Sequence, residues 1–290
     1  MWEEPCISGT RGSGAVFFEG CPLGCVFCQN REIAHVRRGR GAVGAGLAAS
    51  GGASGTAVSR RGKAVSADQF VQICLRLQSE GANNINLVTP THYIPQIIDG
   101  IGRAREEGLA IPVVYNTASI EKPESIRLLD GTVDIYLPDL KYMDSGLSER
   151  YSHMPGYFTA AGKAIDEMVR QAGDPVFEET DQGPMMKRGT IVRHMVMPGH
   201  TEDSKRVLDY LFRTYGNGIY ISIMSQYTPM PGIKDRFPEL FRRVTKREYE
   251  KVVDYALSIG IENAFIQEGG VAKESFIPAF DGEGVPETGN

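Results

Sequence analysis

Three of the five cysteines in this 290-residue chain stand within eight residues, as Cys21, Cys25 and Cys28 of Glu19-Gly20-Cys21-Pro22-Leu23-Gly24-Cys25-Val26-Phe27-Cys28-Gln29-Asn30. The first residues, Met1-Trp2-Glu3-Glu4, lack the basic start and apolar run of a secretion signal. The expected location is therefore cytoplasmic, where disulfides do not persist and clustered thiols more often hold a metal. A tetrahedral zinc site normally takes a fourth protein ligand from a second closely spaced Cys/His pair, and His35, His92, His153, His194 and His200 are scattered. A [4Fe-4S] cluster on three thiolates keeps one iron open for a substrate or cofactor, which suits this donor set. Zinc and inert structural cysteines are the alternatives. Gly20, Pro22 and Gly24 supply the bends that aim the thiols at one point.

Such a loop must be carried by a scaffold, and the hydrophobic pattern describes one. Short apolar runs at Ala15 to Phe18, Ile85 to Val88, Ile111 to Tyr115, Val133 to Leu137, Thr190 to Val196, Ile219 to Met224 and Ala264 to Gln267 read as buried strands. Helical spacing fills the intervals near Ile94 to Glu107, Glu121 to Leu129, Ala160 to Ala172, Glu202 to Tyr215 and Lys246 to Ile259. A further helix opens at Ser66-Ala67-Asp68-Gln69, a capping-box pattern, and repeats apolar residues at Phe70, Ile73, Cys74 and Leu77. Strand and helix alternating about six times predict parallel strands in a full or partial (β/α) barrel, with a doubly wound open sheet as the alternative. In either, chemistry belongs on the loops at the strands' C-terminal ends, and the cysteines follow the first strand directly.

Residues 37–63 hold eight Gly, six Ala, three Ser and six basic residues with no acidic one. Such a segment cannot bury enough apolar surface to offset its ordering entropy, which predicts a flexible, disordered insertion, a solvated spacer or a basic tether. Residues 271–290 are polar and breaker-rich and read as a loose tail. With a net charge of −5, nothing points to nucleic-acid binding, and no apolar run is long enough for a membrane helix.

The triad with Phe27 before its last cysteine resembles the cluster motif of the radical S-adenosylmethionine (SAM) enzymes. The wider stretch Gly12-Ser13-Gly14-Ala15-Val16-Phe17-Phe18-Glu19-Gly20 is similar to the glycyl-radical-enzyme activases, and in particular to their pyruvate formate-lyase activating enzyme-like branch. Trp2-Glu3-Glu4-Pro5-Cys6-Ile7-Ser8-Gly9, Asn84 to Tyr93, Asp134 to Tyr142 and Met224 to Pro229 look like that branch in the same order. The resemblance runs over residues 1–270 and implies a partial (β/α)6 barrel of the radical SAM type, interrupted by the Gly/Ala/Ser insertion.

It also implies an activity. A [4Fe-4S] cluster on Cys21, Cys25 and Cys28 would bind S-adenosyl-L-methionine at its open iron, and one-electron cleavage would give a 5′-deoxyadenosyl radical that abstracts a hydrogen atom. In activases that atom comes from a glycine of a partner glycyl radical enzyme; another peptide or a small molecule is the alternative substrate. The electron would come from a low-potential donor of flavodoxin or ferredoxin type. Cofactor-binding positions carried over are Phe27 near the adenine, Thr89 and Thr91 at the methionyl amino group, Asn116, Asp139, Lys141, and Arg193 on the methionyl carboxylate. Asn116-Thr117 stands where related activases have Asp-Thr, so an acceptor is kept and a charge is dropped. Without the resemblance, Asp139 and Lys141 read as an ordinary surface pair, Arg193 as a structural pair or cap, and Phe27 as core. Cys74 lies on its helix's apolar stripe and reads as a small buried hydrophobe. Cys6 is left open, as an exposed redox thiol or a ligand.

Overall fold

A computed structural model describes residues 3–34 and 62–267. The chain enters through a short helix, α1 (Pro5–Ser8), and runs into β1 (Gly14–Phe17), the cysteine loop and α2 (Arg31–Ala34). Then follow α3 (Ala67–Ser79), β2 (Ile85–Val88), α4 (Ile94–Glu106), β3 (Val113–Thr117), α5 (Pro123–Arg127) and β4 (Ile135–Pro138). The second half adds α6 (Ser145–Ser152), α7 (Tyr157–Ala172), β5 (Val176–Thr180), β6 (Gly183–Met195), α8 (Thr201–Tyr215), β7 (Tyr220–Met224), α9 (Lys246–Ser258) and β8 (Ala264–Ile266). Almost all of the expected insertion (37–61 of 37–63) and the whole tail at 271–290 lie outside the described residues.

The strands form one sheet in the order β1-β2-β3-β4-β6-β7-β8, every neighbouring pair parallel. β1 and β8 end the order without closing on each other, so the expected partial barrel is what forms, with seven parallel strands rather than six. The eighth strand, β5, pairs antiparallel with the first half of β6. Its Val-Phe-Glu-Glu-Thr sequence leaves most of it solvent-facing, so it carried no core-facing pattern to read.

Alternation along the strands sorts the two faces. Ile85, Leu87, Val113 and Tyr115 point outward onto Val71 and Cys74 of α3 and Ile97, Ile101 and Ala104 of α4. Cys74 is thus the buried small hydrophobe its stripe predicted. Val114, Ile135, Leu137 and Ile191 point inward, where Cys6 and Ile7 of α1 pack on them. Cys6 is therefore buried inside the barrel rather than exposed. Each fully buried Ile or Leu stabilises the fold by roughly 1.5–3 kcal/mol. At Ser66 the capping box forms as read: its hydroxyl accepts from the Gln69 amide, and the Gln69 side chain accepts from the Ser66 amide.

Candidate active site

The residue types with chemistry collect at one edge of the sheet, where the parallel strands end. The cysteine loop leaves β1 there and is held from both sides. On one side the amides of Gly20 and Cys21 donate to the carbonyls of Ile33 and Ala34 in α2, at 2.8 and 3.0 Å. On the other, the amides of Gly24 and Val26 donate to the carbonyls of Ser152 and Tyr151 at the end of α6. A Cβ at Gly24 would stand 2.8 Å from the ring of His153, so the loop lies against α6 as closely as glycine permits. Phe27 is buried between Tyr142 and Tyr227.

All three thiols are free; Cys25 is buried, and Cys21 and Cys28 are half-buried. Burial raises the pKa of each; for Cys28, pushed up to about 12, the charges of Cys25 and Cys21 add to it, and for Cys21 those of Cys25 and Glu121 do. Cys25 is opposed by the ammonium of Lys141 and by its contact with the Ser152 hydroxyl at 3.0 Å. The three thiols therefore lie within one another's electrostatic reach. Among the described residues, no three His, Cys, Asp or Glu side chains converge tightly enough to hold a metal ion. A cubane offers each thiolate its own iron, so three thiols on one loop match its donor set. Loading it would release the thiol protons.

Beside the loop lies a buried layer of charge. Arg193, on β6, donates from Nε to Asp139 at 3.0 Å, from one terminal nitrogen to Glu3 at 3.2 Å and from the other to Asn116 at 2.6 Å. Lys141 Nζ donates to the second Asp139 oxygen at 2.6 Å. Asn86 and Asn116 donate their amides to Glu3. Tyr157 ties the layer to the neighbouring loops, its hydroxyl donating to the carbonyls of Asp139 and Ala118 and accepting from the Lys141 amide.

Asp139 and Lys141 share a face, as their spacing implies, and they are no surface pair: their side chains are 16% and 18% exposed. Burial alone would raise the Asp139 carboxyl, but Arg193 and Lys141 together hold it below its usual range. Glu3 faces one of those cations and has Glu4 beside it, so burial prevails and its pKa rises to about 7.

A second polar cluster joins the ends of β2 and β3. Thr91 and Thr117 donate their hydroxyls to one oxygen of Glu121, both at 2.6 Å, and Tyr115 donates to it at 3.1 Å. Thr89 and Ser119, just past the two strands, take left-handed backbone (φ 59° and 63°), uncommon for residues with a side chain and found where structure over-determines a turn.

Of the positions carried over from the resemblance, Asn116, Asp139, Lys141 and Arg193 meet in one network, and Thr89 and Thr91 border it through Glu121 and the Asn116 carbonyl. Sequence reasoning missed Glu3, Asn86, Glu121 and Tyr157. An acidic residue four places after Asn116-Thr117 was the available signal for Glu121, which read instead as the start of a helix; Glu3 stood in a stretch recognised only as a whole. His194 is buried, one ring nitrogen 2.7 Å from the Leu140 carbonyl.

Comparison with known proteins bears on the family and the fold. The Radical SAM superfamily profile matches residues 15–211. A curated relative, "Uncharacterized protein MJ0674" of Methanocaldococcus jannaschii, is 26% identical over 247 residues, which is 84% of this chain and 62% of the relative. Among solved structures, Streptococcus suis SuiB superposes with a TM-score of 0.52 at 15% identity, over 88% of this chain and 49% of its own. The FeFe-hydrogenase maturase HydG from Carboxydothermus hydrogenoformans does so with 0.53 at 11%, over 84% and 51%. The chain thus spans about six tenths of the curated relative and about half of each structure; the structural likenesses bear on the fold alone.

Proposed function

The chain belongs to the radical SAM superfamily, whose members use a [4Fe-4S] cluster and S-adenosylmethionine, and we propose that Cys21, Cys25 and Cys28 hold that cluster in a protein-modifying enzyme. The observation that carries the reading is the placement of three free thiols on the loop after β1, beside a buried layer of charge at the strands' C-terminal edge. With both cofactors bound, they supply reductive cleavage of the sulfonium bond and hydrogen-atom abstraction.

The protein's part is to position and to exclude water. Lys141 and Asp139, paired beside the thiol loop, would face the nucleotide with Thr89 and Thr91. Asn116 and Arg193 form the floor. The guanidinium already serves three protein acceptors, so binding a ligand carboxylate there would exchange it for Glu3. Phe27, wedged between two tyrosines, fixes the loop's third cysteine next to it.

The finer reading is the activase-like one: abstraction from a glycine of a partner glycyl radical enzyme, or from another peptide, with an electron from a flavodoxin- or ferredoxin-like donor in the cytoplasm. It is supported by the quoted sequence stretches. The reading takes residues 1–270 as the functional unit, with the low-complexity stretch 37–63 as an insertion within it and 271–290 as a tail. No helix among the described residues is long and apolar enough to cross a membrane.

Anaerobic reconstitution tests the reading. About four irons per chain, a reduced-cluster resonance that shifts when S-adenosylmethionine is added, and release of 5′-deoxyadenosine are the expected results. One zinc per chain with no cleavage would overturn it.

A further inference from the structure

Residues 231–247, from the loop after β7 into the first turn of α9, carry six basic side chains and two acidic ones in a chain whose net charge is −5. All six, Lys234, Arg236, Arg242, Arg243, Lys246 and Arg247, are exposed. Arg242 pairs with Glu248 and Lys246 with Glu250, while Glu239, one of the two acidic residues, is taken by Arg150 and Tyr151. Lys234 and Arg236 lie over aromatic rings, those of Phe241 and Phe237 at 5.6 and 5.5 Å, rather than in ion pairs among the described residues. Phe241 is itself 42% exposed, so the basic surface has an apolar centre.

This surface is built on the thiol loop. Arg31, in the short helix after the cysteines, donates to the Pro231 carbonyl at 3.4 Å. Tyr227 packs against Phe27 and donates to the Leu240 carbonyl. Phe237 packs against Tyr151, whose carbonyl receives the Val26 amide. Met230, Ile233 and Leu240 belong to the same buried cluster as Leu23, Cys25 and Phe27. The basic surface and the cysteine loop are two sides of one packed layer, and these contacts run to the loop, α2 and α6 rather than to the charged layer around Arg193.

We propose that this surface docks an acidic, low-potential redox protein that delivers the electron to the cluster. The proposal rests on the cofactor reading above and gives its electron donor a place to bind. Hydrogen abstraction requires the reacting atoms to meet, so its substrate must enter the site. An electron crosses a packed layer of side chains without such contact. A surface separated from the thiols by that layer therefore serves a donor rather than a substrate. The partner's reduced cofactor gives up one electron and the cluster takes it, with no bond formed or broken. Charge selects the partner: on a chain that is acidic overall, a local positive field steers an acidic protein and orients it. An aromatic centre ringed by charge suits the small interface of a transient redox encounter.

The test uses the cluster-loaded protein with a flavodoxin as the probe, reading its dissociation constant by titration calorimetry and the rate at which its hydroquinone bleaches the cluster. Lys234→Glu with Arg236→Glu should weaken binding and slow this reduction at least about tenfold at low salt. Reduction by a photoreduced neutral deazaflavin, which needs no docking, should not change. Lys163→Glu with Arg213→Glu, on exposed faces of α7 and α8, makes the same change in net charge and should move either reading less than about twofold. Equal losses in the two double variants, or none in the first, overturn the proposal. So does wild-type binding that fails to weaken between about 0.05 and about 0.5 M salt, whether or not the variants fold. Tighter binding of a mixed-sequence RNA than of flavodoxin, lost in Lys234→Glu with Arg236→Glu, would reassign the surface to nucleic acid. A reconstituted wild type that holds no iron removes the cofactor reading and the proposal with it; a loaded wild type whose Lys234→Glu, Arg236→Glu variant behaves normally removes only the proposal.

Discussion

The thiol loop and the charged layer under it are neighbours with opposite habits. Around Arg193 each strong donor has found a protein acceptor: Asp139, Glu3 and Asn116 take the guanidinium, and Asp139 takes Lys141 as well. On the loop, buried thiols are held up in pKa by burial, and the Cys25 contact with Ser152 is a weak sulfur bond. In one region every charged donor is matched within the polypeptide, and the other has donors whose best partners are soft metal ions. A site arranged in this way keeps a rigid floor while the cofactor-dependent part is assembled above it.

The largest expected effect would separate the two regions outright. Cys25→Ser should reduce iron from about four per chain to background while leaving far-UV circular dichroism unchanged. Wild-type iron content in that variant would mean that the loop is not the anchor; collapse of the fold would mean that the loop is as structural as the floor.

Arg193→Met probes the other side. It strands the carboxylates of Glu3 and Asp139, whose side chains are 7% and 16% exposed, and removal of one partner from a buried charged network typically costs about 3–5 kcal/mol. Denaturant unfolding measures this. A loss below about 1 kcal/mol would show that water or Lys141 already satisfies the two carboxylates, and the contrast between the regions would disappear.

How much of this was legible beforehand differs in the same way. The three cysteines were legible because a metal site needs particular residue types at close spacing. The strands β2 and β7 were legible because parallel strands buried on both faces read as short, mostly apolar runs, here interrupted only by Asn86 and Ser222. β5 was not, since its residues face solvent, nor were α1 and α6, which are too short or too weakly patterned to show a periodic face. The floor was only half legible. Asp139, Lys141 and Arg193 came through the resemblance, but that Glu3 closes the network depends on a contact 190 residues apart in sequence, and no local pattern encodes that.

Glu3 allows a finer measurement on the floor. Its pKa is about 7 in the fold against an ordinary 4.5, because burial outweighs Arg193. Between those values the unfolded chain has lost the proton and the folded chain keeps it, so stability falls as pH rises across that window and levels off above it. Asp139, held low, acts only in the acid range below the window. The melting temperature of the wild type relative to Glu3→Gln should therefore decline from pH 4.5 to about 7; the comparison cancels His194 and His200, whose lowered pKa values act in the opposite sense in both proteins. Identical slopes would place the Glu3 carboxylate in contact with water and leave the floor less closed than its hydrogen bonds imply.

The smallest effect should come from Ser152→Ala. The Ser152 hydroxyl lies 3.0 Å from both Cys25 Sγ and Tyr142 Oη, joining the loop to the core at a side chain rather than through backbone. If the loop is positioned by its backbone bonds to α2 and α6, losing this hydroxyl should cost about 1 kcal/mol, and iron retention should be unchanged. A loss above about 3 kcal/mol, or failure to hold iron, would mean that Cys25 depends on a side-chain network as closely knit as the one around Arg193. The two regions would then be parts of a single preorganised site.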